Sequence, residues 1–289
     1  MSNATEAQIL FNLPELSRPN APVLLEAFHY RFFPAWALFL TLVSPPDVIH
    51  VEASAVAPPG AIGKDDIRFN YPLAGGAMMD IGTYCLSALR QIFGTEPEEC
   101  LSCDTQSYTE GNQAKCDYAF AAKFRFPNGA IGDMKGSLRG SWAVKLPRAT
   151  VTHREVAVPD ESLPEGQEKL RTRELTMWNF MVSTIYHRID IVDSYVIRSK
   201  SDGTTIKKWT EKTYRKAYSF KEAGGEFKEL PSEIYWMSYR HQLQQFVNRV
   251  KGRETLHWVT GEDSIAQMKM MDMAYEKSGL GARLTSSFR

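Results

Sequence analysis

Residues Leu73-Ala-Gly-Gly-Ala-Met-Met-Asp80-Ile-Gly-Thr-Tyr84-Cys-Leu-Ser-Ala-Leu-Arg90 decide the fold. Apolar residues recur there at spacings of three and four, which predicts a helix with one buried face, and Gly94 supplies its stop. Asp80 and Tyr84 are four residues apart and therefore lie one turn from each other on the same face. We predict a proton-relay pair, with Tyr84 as general acid or base and Asp80 orienting a hydroxyl. The helix dipole and core packing explain the same two residues without catalysis, so the spacing leaves both interpretations open.

Segments that alternate between apolar and polar residues predict a sheet downstream of this helix. Pro127-Asn-Gly129 is a hairpin turn between two of them, and 201–203 has tight-turn chemistry. The pattern indicates an α+β fold with an open, mostly antiparallel sheet and helices on one face. The predicted strands are Val48–Val56, Ala119–Phe126, Ala130–Leu138, Arg148–His153, Glu174–Trp178 and Asp190–Ile197.

Helical periodicity and boundary residues predict four further helices. They are a short helix at 2–12, a core helix between Phe32 and Val43, one from Ser232 to Val250, and a last one capped by Asp263 or Ser264 and ended by Gly279. The apolar run Pro22–Phe28, bounded by turn residues, predicts a buried strand, and 67–71 also reads as strand-like.

Composition excludes several classes of partner. Lysine plus arginine equals aspartate plus glutamate, 34 each, so nothing in the net charge favours nucleic acid or a membrane. Four cysteines without a secretory signal predict free thiols in a reducing, cytoplasmic compartment. Cys100 and Cys103 form a Cys-x-x-Cys pair without a second ligand pair, so no metal site is expected.

Three motifs resemble one enzyme family. The segment Gly75–Tyr84 is similar to the Gly-Gly-x-x-x-Asp-x-Gly-x-His/Tyr signature of the glucose-fructose oxidoreductase and inositol dehydrogenase family (Gfo/Idh/MocA). Glu26-Ala-Phe-His-Tyr-Arg-Phe-Phe-Pro34 resembles the family's Glu-Ala-Phe-His-Tyr-Arg-Phe-His-Pro segment, with Phe33 in place of a histidine. Thr260–Ser264 is similar to the entry of its last helix. The tyrosine version is typical of the branch of dimeric dihydrodiol dehydrogenases and NADP-dependent D-xylose 1-dehydrogenases.

The resemblance implies an oxidoreductase that uses NADP or NAD to oxidise a hydroxyl of a small sugar or diol. The resemblance makes Tyr84 and Asp80 catalytic. Arg31, which it places among the ligand contacts, could equally pair with a core carboxylate. The other implied contacts are His29, Tyr30, Arg31 and Tyr239 for substrate, and Glu26 and Arg31 for cofactor. Tyr239 is also explained by core packing.

One departure from the family qualifies this expectation. The chain has no Gly-x-Gly-x-x-Gly turn between a strand and a helix and no Glu-Lys-Pro, whose lysine is the family's usual catalytic partner. Residues 1–30 are therefore expected to be a Rossmann-domain remnant that precedes a substrate-binding and dimerisation domain at 31–289. The chain as given is expected to bind NADP poorly and to be weak or inactive. The alternative is a non-catalytic, dimer-forming sugar-binding or regulatory module.

The open face of the predicted sheet is the expected contact between two copies of the chain. Trp142, Trp178, Phe180 and Tyr186 make that face aromatic, and an apolar sheet face usually marks an interface. Related proteins dimerise through it, so we expect a homodimer.

Overall fold

The protein is described by a computed structural model that covers residues 1–63, 65–140 and 145–285. In these ranges nine strands form one sheet, in the order β2-β3-β4-β1-β5-β7-β8-β9 with β6 beside β7. Only the β1–β4 pair is parallel among the described pairs. The strands are β1 Val48–Val56, β2 Glu99–Ser107, β3 Asp117–Arg125, β4 Ile131–Ser137, β5 Arg148–His153, β6 Val156–Val158, β7 Gln167–Trp178, β8 Arg188–Ser199 and β9 Thr205–Arg215.

The helices complete the predicted α+β fold. α3 packs on the sheet against β1, β4 and β5, while α6 packs against β2, and α1 packs against α6. Asn3 caps α1 by accepting a hydrogen bond from the backbone N–H of Glu6 (2.9 Å), and Gly94 ends α3 in the left-handed region (φ 66°). The helices are α1 Ala4–Phe11, α2 Pro34–Leu42, α3 Thr83–Phe93, α4 Phe220–Ala223, α5 Ser238–Val250 and α6 Gly261–Lys277. The predicted mostly antiparallel open sheet with helices is confirmed.

The inner face of the sheet carries the core. Along β1 the buried side chains Val51, Ala53 and Ala55 alternate with outward ones, as a strand with one buried face requires. A Cβ at Gly136 in β4 would lie 2.6 Å from the ring of Phe120 and 2.7 Å from the carbonyl oxygen of Ala55. Glycine at this position therefore lets the aromatic core pack directly on the sheet.

The outer face differs from the predicted aromatic surface. Phe180 is fully buried against Tyr30 and Trp36, so its assignment to the open face is wrong. Trp178 is half-buried and its indole N–H donates to Asp190 (2.8 Å). Tyr186 is 38% exposed, and Trp142 lies outside the described residues.

Two segments predicted as strands are irregular. Residues 22–28 have no strand conformation, because no described neighbouring strand pairs with their backbone. The carbonyl of Glu26 instead accepts from the side chain of Gln242 (2.9 Å). Residues 67–71 contribute to two short 3-10 turns, Ile67–Phe69 and Tyr71–Leu73.

Two helix starts also differ from the predictions. Ser232 does not cap α5, since its hydroxyl accepts from the backbone N–H of Phe220 (2.6 Å) and α5 begins at Ser238. Thr260 caps α6 by accepting from the N–H of Asp263 (3.1 Å), and it lies three positions before Asp263, the earlier of the two predicted caps. At α5 the N-cap position is Met237, which offers no side-chain cap, whereas at α6 the hydroxyl of Thr260 is the cap, and local sequence did not decide either outcome.

The four cysteines are buried, free thiols. No group of three or more histidine, cysteine or carboxylate side chains in the described ranges is placed to hold a metal ion. No helix described here has the length and apolarity to cross a membrane.

Candidate functional site

The candidate site begins at the turn that precedes α3. Gly76 has φ 147°, and the following Met78–Gly82 forms a π turn that continues into α3. π turns within helices often occur at functional sites, because the extra residue redirects side chains. A Cβ on Gly82 would lie 3.0 Å from the ring of Phe120, so this glycine admits an aromatic ring from β3. The turn presents both Asp80 and Tyr84.

Tyr84 faces a line of hydrogen-bonding groups. Its hydroxyl lies 3.4 Å from Nε2 of His29, and Nδ1 of His29 lies 2.8 Å from Oγ of Ser238. The His29 ring also stacks on Tyr239, with centroids 4.1 Å apart. Burial lowers the pKa of His29, so its imidazole is neutral at pH 7 and can both accept and donate a proton. The Tyr84–His29–Ser238 line can therefore relay a proton.

The phenol of Tyr84 is a weak acid in this environment. Burial, and then the neighbouring Tyr239 and Asp80, raise the pKa of Tyr84 to about 12, while Arg68 acts in the opposite direction. Arg68 is the cation that lowers the pKa of Tyr84, but its effect does not offset that of burial.

Asp80 pairs with this arginine and not with Tyr84. Nε of Arg68 donates to the Asp80 carboxylate (3.0 Å), and Arg68 also binds Asp66. Burial raises the pKa of Asp80, with Arg68 acting against it. Asp80 is close enough to raise the pKa of Tyr84, but a direct hydrogen bond between their side chains is not among the described contacts.

A cavity of about 230 Å³ lies beside Tyr84. Burial raises the pKa of Glu26, and its Oε2 is buried without a hydrogen-bond partner among the described residues. An unpaired buried acceptor on a cavity wall is available to a bound donor. The cavity is lined by Met1, Glu26, Ala27, Phe28, Met79, Thr83, Tyr84, Met268 and Met271.

Arg31 is engaged in the core. It forms an ion pair with Asp263 (2.6 Å) and donates from Nε to His257 (3.0 Å), and its side chain is only 3% exposed. Asp263 also binds Arg90 (2.7 Å). The interpretation of Arg31 as the partner of a core carboxylate is confirmed, and it does not line the cavity beside Tyr84.

The remaining predicted contacts separate into buried and accessible groups. Tyr30 is 1% exposed and its hydroxyl donates to Ser87 (2.8 Å), so it has no free group for a substrate. Phe33 is fully buried against His187 and His241. Tyr239 is 58% exposed and can contact a ligand. The ligand roles of Tyr239, His29 and Glu26 stay predictions.

Two residues of this site were missed by sequence reasoning. Ser238 is 209 residues from His29 in the chain, and Arg68 lies in a segment interpreted as a strand. Ser238 carried no sequence signal. Arg68 carried a weak one, a lone cation 12 residues before Asp80.

The described residues fit one end of a dinucleotide better than the other. The methionine-lined cavity with Tyr84 and Glu26 suits a nicotinamide ring and its carboxamide. Neither end of α6 favours the pyrophosphate: the Gly279 and Gly281 pair follows the C-terminal end of this helix, which repels anions. The N-terminal turn of α6 carries Glu262 and Asp263, which also disfavour phosphate.

Comparison with known proteins agrees with the fold. Residues 47–152 match the family model described as the GFO/IDH/MocA C-terminal domain. The aldose-aldose oxidoreductase of Caulobacter crescentus, solved with glycerol, superposes with a TM-score of 0.63 at 17% identity, over 96% of this chain and 67% of that one. At this identity the likeness shows the fold alone.

Two curated relatives are dehydrogenases. The D-xylose 1-dehydrogenase (NADP(+)) 2 of Haloferax volcanii is 26% identical over 263 residues, 90% of this chain and 63% of the relative. The trans-1,2-dihydrobenzene-1,2-diol dehydrogenase of Xenopus laevis is 35% identical over 86 residues, 27% of this chain and 24% of the relative. The chain therefore spans less than two thirds of the length of either protein.

Proposed function

We propose that this chain carries the hydroxyl-oxidising site of a nicotinamide-dependent oxidoreductase acting on a small sugar or a cyclic diol. The observation that carries the proposal is the line from Tyr84 through His29 to Ser238, whose Tyr84 end lines a cavity together with Glu26, and Oε2 of Glu26 has no hydrogen-bond partner among the described residues. The names of the two curated relatives, a D-xylose and a dihydrodiol dehydrogenase, support the substrate class.

In the proposed reaction Tyr84 exchanges the proton of the substrate hydroxyl, and His29 and Ser238 pass it onward. When bound, NADP or NAD supplies the hydride acceptor. Because burial holds the pKa of Tyr84 at about 12, the phenol is protonated at pH 7 and donates more readily than it accepts. We therefore expect carbonyl reduction to be favoured near neutrality and hydroxyl oxidation to rise as pH increases towards 10.

Replacing Tyr84 tests the proposal. Tyr84→Phe removes the acid/base group, and general acid–base catalysis contributes roughly 10²–10⁴-fold, so turnover of D-xylose or a trans-dihydrodiol should fall by about that factor. Tyr214→Phe, in the 64%-exposed position of β9, is the matched control and should retain the full rate. Equal rates for Tyr84→Phe and the parent would contradict the proposed role.

We further propose that the 289-residue polypeptide binds NADP weakly, because its sequence has no Gly-x-Gly-x-x-Gly turn to hold the pyrophosphate. Titration with NADPH, followed by cofactor fluorescence, measures this directly. Tight, saturable binding of NADPH would contradict the proposed weak binding. Binding of D-xylose without cofactor, unchanged in Tyr84→Phe, would instead favour a non-catalytic sugar-binding module.

We also propose a homodimer formed through the outer sheet face. Thr150 and Thr176 form a hydrogen-bonded pair on the adjacent strands β5 and β7 of this face (3.2 Å). Sedimentation velocity should give a particle of twice the 32.7 kDa chain. Thr176→Arg should produce monomers, whereas Thr213→Arg on the exposed strand β9 should not. A parent chain that sediments as a monomer at micromolar concentration would refute the proposal.

A further inference from the structure

A buried polar cluster lies behind the turn that presents the site. It consists of Asp117 at the start of β3, Tyr275 in α6 and Arg283 near the end of the described chain, and we call it the Asp117 cluster. The three residues are 0%, 0% and 3% exposed. Oδ1 of Asp117 accepts from the hydroxyl of Tyr275 (2.8 Å) and from Nη2 of Arg283 (2.9 Å). Segments more than 150 residues apart thus converge on one carboxylate.

The other oxygen of Asp117 binds the turn itself. Oδ2 accepts from the backbone N–H of Met78 (2.7 Å), the first residue of the π turn. Nη2 of Arg283 also donates to the carbonyl of Gly75 (2.7 Å). A Cβ on Gly76 would collide with Asp117 Oδ1 and lie 2.6 Å from Nη2 of Arg283. The Asp117 cluster therefore contacts the start of the π turn, just before Asp80 and Tyr84 in the chain.

A stabilising role alone explains this arrangement poorly. Burying an aspartate and an arginine together has a desolvation penalty that their attraction often does not exceed, and well-packed apolar residues would serve stability as well. An apolar residue cannot accept a hydrogen bond from the free N–H at the start of a helical turn, whereas the carboxylate of Asp117 can.

We propose that Asp117, held by Tyr275 and Arg283, is a positioning residue that fixes the start of Met78–Gly82 and thereby the placement of Asp80 and Tyr84. The proposal rests on the proposed function only in taking Asp80 and Tyr84 as the site. Asp117 touches neither of the two through a described hydrogen bond, and it acts through the backbone of the turn.

The test is NMR of the full chain carrying Asp117→Asn. The amide has one acceptor oxygen, which Arg283 and Tyr275 retain, so its NH₂ group faces the N–H of Met78. We expect hydrogen exchange at the Met78 amide to accelerate roughly tenfold or more, and the ring signals of Tyr84 to shift. Asp193→Asn, which removes a carboxylate paired with Arg173 (2.8 Å), is the matched control and should leave both signals unchanged.

A milder variant covers a failure of Asp117→Asn to fold. Tyr275→Phe keeps the ring and the carboxylate and removes one donor, so it should shift the Tyr84 signals in the same direction by a smaller amount. Folded variants with parent-like Met78 exchange and Tyr84 signals would overturn the proposal, as would a loss of folding in both. The NMR readout needs no turnover, so parent-like turnover of Tyr84→Phe would count against the proposed function without affecting this result.

Discussion

The two faces of the sheet use the same alternation of residues for different purposes. On the inner face Val51 and Ala53 are fully buried. On the outer face of the same strand Glu52 binds Lys135 and Arg148, each at 2.7 Å, from the strands on either side. The inner face depends on volume and shape, whereas the outer face depends on charges supplied by neighbouring strands. Stability should therefore respond strongly to changes of size inside and weakly to changes of charge outside.

Removing a large inner side chain should have the largest effect. Phe124 in β3 is fully buried, and Phe124→Ala should lower the free energy of unfolding by about 3–5 kcal/mol through lost burial and a cavity. Urea denaturation measures the loss. Ile206→Ala on β9, where the side chain is 53% exposed, is the control and should change stability by less than about 0.5 kcal/mol. Equal losses at the two positions would remove the distinction between the inner core and the exposed edge.

Adding a single methyl group to the inner face should have an intermediate effect. Gly136→Ala places a Cβ 2.6 Å from Phe120 and 2.7 Å from a backbone oxygen, which cannot move aside cheaply. Overpacking of this kind should reduce stability by about 1–3 kcal/mol. Thermal unfolding should show little change for Gly63→Ala, where a Cβ meets no atom within 4 Å. A neutral Gly136→Ala would mean that the core adjusts more freely than the contacts indicate.

Removing an outer charge should have the smallest effect, and that effect should depend on pH. Burial raises the pKa of Glu52, but hydrogen bonds from Lys135 and Arg148 outweigh it and leave the pKa below its ordinary 4.5. The stabilisation that the charged Glu52 gives the fold is therefore complete above pH 4.5, and it is lost as the pH falls through the lower pKa of the folded state. Glu52→Gln should reduce stability by at most about 1 kcal/mol at pH 7 and by less in acid.

The measurement for this variant is urea unfolding at several pH values. Glu165→Gln, in an exposed loop, should follow the parent curve at every pH. A difference between Glu52→Gln and the parent that stays constant down to acidic pH would show that the carboxylate charge is not responsible.

Much of the fold could be predicted because its signals are local. The helix after Gly76, its stop at Gly94 and the hairpin between β3 and β4 were all predicted from spacing and turn residues, and the structure confirms them. The strand expected at 22–28 was wrong, since a strand requires a neighbour that its own residues do not specify. Phe180 was placed on the wrong face because a 3-10 turn follows β7 and ends the alternation.

The candidate site shows the same division. The sequence by itself determined that Asp80 and Tyr84 lie four residues apart at the start of a helical segment, because helical periodicity is a local property of the chain. Only the tertiary structure decided that Tyr84 faces His29 and Ser238, and that Asp80 binds Arg68. These partners lie up to 209 residues apart, and their contacts depend on how separate elements pack. Local torsional preferences carry no information about that packing, which is set by shape, burial and the pairing of buried polar groups.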